Sequence, residues 1–174
     1  MKKSIILLMF AALAFVSCQK SAVENLSGSY SFKTGGLLQL KTTVKSFEGG
    51  KLVDKDTVIV RSLVPESGQM RILPDSGDKA KVTMNITAGG PVVYDASVQD
   101  NSVSLSTVSR KLPVYREESL LDFIEEVLVS CSGTGTLYGN TIVFDIKCEG
   151  NFKLGDWPCT ILSSDVKCVA TRNE

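Results

Sequence analysis

Residues 129–150 read VSCSGTGTLYGNTIVFDIKCEG, and this stretch predicts a β-hairpin. Gly139-Asn140 signals a two-residue turn between two segments of alternating character. Such a turn places Cys131 directly opposite Cys148. If the turn closes on a hydrogen-bonded pair, alternation makes the cysteines a non-hydrogen-bonded pair with Cα atoms about 4.5 Å apart. The hairpin therefore predicts an antiparallel sheet in which these two thiols can meet.

Alternation of apolar and polar residues also marks the chain before this hairpin. A Gly35-Gly36 turn between two alternating segments predicts a first hairpin, and residues 79–88 predict a half-buried strand. A further hairpin turns at Asp100-Asn101, which places Tyr94 opposite Thr107. The pattern favours many short antiparallel strands joined by tight turns.

One segment departs from this period of two. An apolar stripe with the period of a helix is formed by Leu120, Leu121, Ile124 and Leu128. Acidic residues lie mostly on the other side of that stripe, so we expect residues 117–128 to form a helix.

The last two predicted strands are residues 159–162 and 165–171, joined at Ser163-Ser164. A two-residue loop there sets Cys159 opposite Cys168. Together the segments predict an all-β fold, an antiparallel up-and-down β-barrel of about eight to ten strands with one short helix.

The chain begins with a targeting segment. Lys2-Lys3 precedes an unbroken apolar run from Ile5 to Val16, which is too short to span a bilayer as a helix. We expect residues 1–17 to be a signal peptide, residues 18–25 a flexible tether, and residues 26–174 a single β-barrel domain.

Composition narrows the function. The chain has 174 residues, 43% of them hydrophobic, which is ample for one core. It contains no histidine, which removes the usual general base and His-ligated zinc, so we expect a protein that is not an enzyme and has no cofactor or metal. The 19 basic and 19 acidic residues are scattered, and no nucleic-acid partner is indicated.

Phe15-Val16-Ser17-Cys18 resembles the lipobox of bacterial lipoproteins, in which the cysteine is acylated and becomes the mature N-terminus. The resemblance implies that Cys18 anchors the protein in a membrane. Because Gln19 is not the aspartate associated with inner-membrane retention, the resemblance implies an anchor in the cell outer membrane. It leaves open whether the protein lies on the periplasmic face or on the cell surface. The alternative is an ordinary secretory leader cut at a small residue.

A second resemblance covers most of the mature chain. Gly28-Ser29-Tyr30 stands where lipocalins carry Gly-x-Trp, and residues 133–142 are similar to the Thr-rich hairpins of small Bacteroidetes-type lipoproteins with lipocalin-like (calycin) barrels. The resemblance implies a closed barrel. It also implies that Arg172 packs on the ring of Tyr30.

Four cysteines follow the tether, and we expect the disulfides Cys131–Cys148 and Cys159–Cys168. Both pairs satisfy the cross-strand geometry that the predicted turns impose. The alternatives are free buried thiols or a metal site, although the spacing lacks the paired cysteines of zinc ribbons.

For function, two hypotheses follow from the predicted barrel. The first is a non-catalytic binding protein that holds a small apolar or lipid-like ligand inside the barrel. Its predicted ligand-binding residues are Tyr30, Phe32, Met84, Tyr94 and Phe144. The second is a cell-envelope scaffold or protein-interaction module with a filled barrel, whose unknown protein partner contacts the apolar strand 58–64.

Overall fold

A computed structural model describes residues 21–117 and 120–174, without the side chains of 117 and 120–122. Within this part of the chain, no helix has the length and apolarity needed to cross a membrane. The described elements are one helix and ten strands. They are α1 (Ala22–Leu26), β1 (Gly28–Glu48), β2 (Lys51–Ser62), β3 (Ser67–Pro74), β4 (Lys79–Ile86), β5 (Pro91–Gln99), β6 (Ser102–Glu117), β7 (Leu120–Tyr138), β8 (Thr141–Glu149), β9 (Asn151–Leu154) and β10 (Trp157–Arg172).

The strands form one antiparallel sheet that closes on itself. Its order is β2-β1-β3-β4-β5-β6-β7-β8-β10-β9, and β1 also pairs with β10. The closing register runs from Tyr30 opposite Arg172 to Thr42 opposite Cys159. The all-β, antiparallel, up-and-down prediction is confirmed.

At two places in the sheet, a pair of strands lies end to end beside one longer strand. β3 pairs with the first residues of β1, and β2 pairs with its later residues, from Leu37 opposite Ser62 to Glu48 opposite Lys51. In the same way, β8 and β9 pair with successive parts of β10. We call the end with the β1–β2 turn the upper end, and the end with α1 the lower end.

The interior is filled by two apolar clusters, one above the other, because alternate residues of each strand point inward. The lower cluster includes Tyr30, Phe32, Met70, Met84, Tyr94 and Phe144. The upper cluster includes Leu38, Leu40, Leu63, Val114, Val127 and Cys159.

Helix α1 closes the lower end. Ser21 and Glu24 form a reciprocal capping box, and Val23 and Leu26 are buried in the lower cluster. The prediction of a flexible tether over residues 18–25 is therefore wrong for residues 21–25. The capping pattern that starts this helix was present in the sequence.

Arg172 connects the last strand, β10, to helix α1 and to Tyr30. Its guanidinium carbon lies 5.3 Å from the centre of the Tyr30 ring, and its Nη2 donates to the Tyr30 hydroxyl at 2.7 Å. Nη2 also donates to the carbonyl of Asn25. The predicted packing of Arg172 on Tyr30 is confirmed.

The predicted helix over residues 117–128 is wrong, because residues 120–128 belong to β7 and pair with β6. Val127 and Val129 are buried and continue the alternation of the hairpin, whereas Ile124 and Leu128 of the predicted stripe are exposed. Pairing with the long strand β6 overrides the local helical period.

Two predicted turns are also absent. Gly35-Gly36 lies within β1, which turns instead at Gly49-Gly50. Ser163-Ser164 lies within β10, so Cys159 and Cys168 are nine residues apart on one strand. At about 3.3 Å per residue their separation is about 30 Å, and the predicted Cys159–Cys168 disulfide is wrong.

Candidate functional site

The five predicted ligand-binding residues come together in the lower cluster, each at most 3% exposed. A cavity of about 20 Å³ touches Met84 and Tyr94. That volume holds about one water molecule, whereas ligand pockets measure about 300–1,000 Å³. The packing thus leaves no ligand-sized space beside these two side chains.

The predicted register of Cys131 opposite Cys148 is confirmed. Their Sγ atoms lie 3.8 Å apart as buried free thiols, so the disulfide between them stays a prediction. The hydrogen bond with Cys148, followed by burial, raises the pKa of Cys131. Cys168 lines the same small cavity, and burial raises its pKa to about 12.

A larger space opens where β5 and β6 separate. The two strands pair from Gln99 opposite Ser102 to Ala96 opposite Leu105, as the turn at Asp100-Asn101 predicted. Beyond that point the predicted pairing of Tyr94 with Thr107 is absent, and the register of β6 with β7 shifts between Leu105 and Val108. The bulge increases the local bend of β6 and leaves a gap in the wall.

This gap is a cleft of about 710 Å³, which is within the range of small-molecule sites. We call it the β5–β6 cleft. Its walls are the end of β4 and the start of β5, the segment that joins β2 to β3, β6, and the part of β7 near Ile124. The apolar residues that line it include Val64, Pro65, Ile86, Val92, Val93, Val108 and Ile124.

An ion pair forms the wall between the cleft and the interior cavity. Arg110 Nη2 donates to both carboxylate oxygens of Glu66, at 2.6 and 2.7 Å, and both side chains are largely buried. Both residues line the cleft and the small cavity. The cleft therefore combines apolar walls with one fixed polar group, as ligand sites do.

Burial in this region affects Tyr94, which lies beside the ion pair. Loss of solvation raises the pKa of Tyr94 to about 12, while Arg110 acts in the opposite direction. The phenol is therefore neutral at physiological pH. The charge of Arg110 is balanced by Glu66, which is its only close carboxylate partner among the described residues.

No protein-family model matches the sequence, and no curated protein is significantly similar to it.

The sequence predictions bear on this site only in part. Tyr94 lines the small interior cavity behind the ion pair, Cys18 lies outside the described residues, and the cleft itself was missed. Glu66 and Arg110 are 44 residues apart and belong to no local pattern. The turn Gly89-Gly90-Pro91, which ends the β4–β5 pairing, was the nearest signal in the sequence.

Proposed function

We propose that the protein is a non-catalytic binding protein that holds a small apolar or lipid-like ligand in the β5–β6 cleft. The observation that carries the proposal is the cleft itself, about 710 Å³ of space with apolar walls and a buried ion pair at its base. An apolar ligand gains free energy from burial against these walls. The packed interior offers no comparable space beside Met84 and Tyr94.

The proposal includes an anchor. In this hypothesis Cys18 is acylated and holds the protein in the outer membrane, as the lipobox-like sequence suggests. Mass spectrometry of the membrane-extracted protein tests it through the mass of the N-terminal peptide. An unmodified N-terminus in the soluble fraction would contradict it.

Binding can be tested with Nile red, an uncharged apolar dye. We expect its fluorescence to rise on titration with the protein, and the substitution Val93→Lys to weaken binding at least about tenfold because it places a charge in the cleft. Val93 is 49% exposed, so the variant is expected to fold.

Val169→Lys is the matched control, because Val169 is 44% exposed on the outer face of β10, away from the cleft. Equal loss of binding in both variants, or no binding by the native protein, would contradict the cleft as the site.

A second candidate function rests on a different observation. Phe47 and Leu52 lie opposite each other next to the β1–β2 turn and are 72% and 68% exposed. Val58 and Val60 are exposed further along the same face of β2, beyond the ion-paired Asp54 and Asp56. We propose as the alternative that this hairpin contacts a protein partner, with the rest of the molecule as a scaffold.

The alternative predicts specific crosslinking in cells from a photoreactive residue at position 47. The same residue at position 169 is the control. Crosslinks of equal yield and identity from both positions would argue against a partner at the hairpin.

A further inference from the structure

The strand edges that border the β5–β6 cleft are free of strand partners within the described residues. β5 pairs with β4 from Pro91 onward, but with β6 only from Ala96 onward. On β6, the edge that faces β5 is paired up to Leu105 and next meets another strand at Val114, which bridges to Leu63. Residues 91–94 and 107–112 therefore present backbone edges to the cleft.

The hydrogen-bonding direction of these edges follows from their neighbours. Val64 N donates to Pro113 O at 2.9 Å, so odd-numbered residues of β6 direct their backbone groups toward the cleft side. Val98 N donates to Asp78 O on the opposite side of β5, so odd-numbered residues of β5 face β6. Alternation assigns the free groups to Val93 on β5 and to Ser109 and Lys111 on β6.

Among the described residues, these groups have no strand partner on the cleft side. The carbonyl of Lys111 accepts a long contact of 3.4 Å from Arg110 Nε. Unpaired backbone donors and acceptors beside an apolar surface favour any ligand that supplies the complementary groups. A hydrocarbon cannot supply them, whereas the secondary amides of an extended peptide can.

Charge at the cleft also limits the ligand. Glu66 is paired with Arg110, and Lys111 is paired with Glu126 at 3.0 Å, so the two charged pairs that line the cleft neutralise themselves. A ligand that matches the neutral lining of the cleft is therefore uncharged. Val92 and Val108, which line the cleft and pack against the lower cluster, favour apolar side chains at alternate positions.

We propose that the β5–β6 cleft binds an extended, uncharged peptide segment of a partner protein, which adds a strand beside the free edge of β6. The inference rests on the proposed function, because it takes the cleft as the ligand site. The inference narrows the ligand from any small apolar molecule to a peptide that is recognised through its backbone. A segment of about five residues spans about 16 Å, comparable to the free edge of β5.

The test uses a capped pentapeptide, Val-Thr-Val-Thr-Val, and the same peptide N-methylated at alternate residues. Both have the same side chains, but the methylated form lacks the N–H donors on one edge. We expect the first to displace Nile red from the native protein, and the second to do so at least about tenfold more weakly. We also expect the first to slow amide hydrogen exchange at Ser109 and Lys111.

The outcomes separate the two proposals. Binding of Nile red that the Val93→Lys variant loses, with no displacement by the peptide, would overturn the peptide inference and keep the binding function. Equal displacement by both peptides would also overturn it, since backbone pairing would then contribute nothing. No binding of Nile red or peptide at the cleft would overturn both.

Discussion

At the scale of single residues, the Arg110–Glu66 pair gives the sharpest prediction. Replacing Arg110 by leucine leaves the Glu66 carboxylate, whose side chain is 11% exposed, without its cationic partner. We expect the free energy of unfolding to fall by about 3 to 5 kcal/mol. Urea denaturation of Arg110→Leu measures the change.

The double variant Arg110→Leu with Glu66→Leu distinguishes the loss of the ionic partner of Glu66 from the loss of the packing of the Arg110 side chain. We expect it to recover most of the stability, because neither charge stays buried. Lys81→Ala is the control, since it breaks an exposed pair with Asp95 and should change little. A double variant as unstable as the single one would contradict the expectation.

Tyr94 predicts a dependence on alkaline pH. Because burial raises its pKa to about 12, an unfolded chain loses the phenolic proton near pH 10 while the folded protein retains it. The unfolded state then binds fewer protons, so the contribution of Tyr94 to stability is constant below about pH 10 and falls between about 10 and 12.

The expected loss is about 2 to 3 kcal/mol over that range. It is measured as the difference in unfolding free energy between the native protein and Tyr94→Phe at each pH. This comparison cancels the titration of lysines, and a difference that does not change with pH would refute the assignment.

Residue patterns in the sequence predicted only what local alternation determines. The burial of Tyr30, Phe32, Met84, Tyr94 and Phe144 followed from period-two faces and is confirmed. The Arg110–Glu66 pair could not be predicted from this alternation, because it depends on the positions of segments that are far apart in the sequence.

At the scale of elements, close strand contacts at glycines determine which positions accept a side chain. A Cβ on Gly68 of β3 would lie 2.0 Å from the carbonyl oxygen of Asn85 on β4. We expect Gly68→Ala to lower the free energy of unfolding by about 3 kcal/mol, because backbone rather than a flexible side chain must move. Thermal or urea unfolding measures it.

Gly90→Ala is the matched control, since a Cβ there meets no atom within 4 Å. We expect no loss of stability from it, and a small gain from the reduced freedom of the unfolded chain. Equal effects at both glycines would show that the β3–β4 approach is looser than described.

The β7–β8 hairpin predicts a single disulfide under oxidising conditions. Cys131 and Cys148 need only close from 3.8 Å to the bond length of about 2.05 Å. We expect non-reducing peptide mapping to link them, and the link to add about 3 kcal/mol relative to the reduced protein. A peptide joining Cys159 to Cys168 would contradict the continuity of β10.

Element types were predictable where one short turn determined the register. Gly139-Asn140 predicted every pair of the β7–β8 ladder, and Asp100-Asn101 predicted β5 with β6 as far as Ala96. Predictions failed where glycines or serines lie inside long strands, as at Gly35-Gly36 and Ser163-Ser164. Such residues resemble turns locally, and only the neighbouring strand keeps them extended.

At the scale of the whole molecule, Arg172 joins β10 to α1 and to the start of β1. Arg172→Ala removes its hydrogen bonds to Tyr30 and Asn25 and its stacking on the Tyr30 ring. We expect a loss of about 2 kcal/mol and faster amide exchange in α1. Arg71→Ala, on the exposed face of β3, is the control and should have little effect.

The closure of β1 on β10 has a consequence for how the chain acquires its structure. The first of the described strands, β1, pairs with the last of them, β10, from Tyr30 opposite Arg172 onward. A ribosome-bound chain in which β10 has not yet been made therefore keeps one edge of β1 unsatisfied, and it cannot complete the sheet. Such long-range pairing is slow to form. The closed sheet thus forms only after β10 has been made, which gives a chaperone time to act on the unfolded chain.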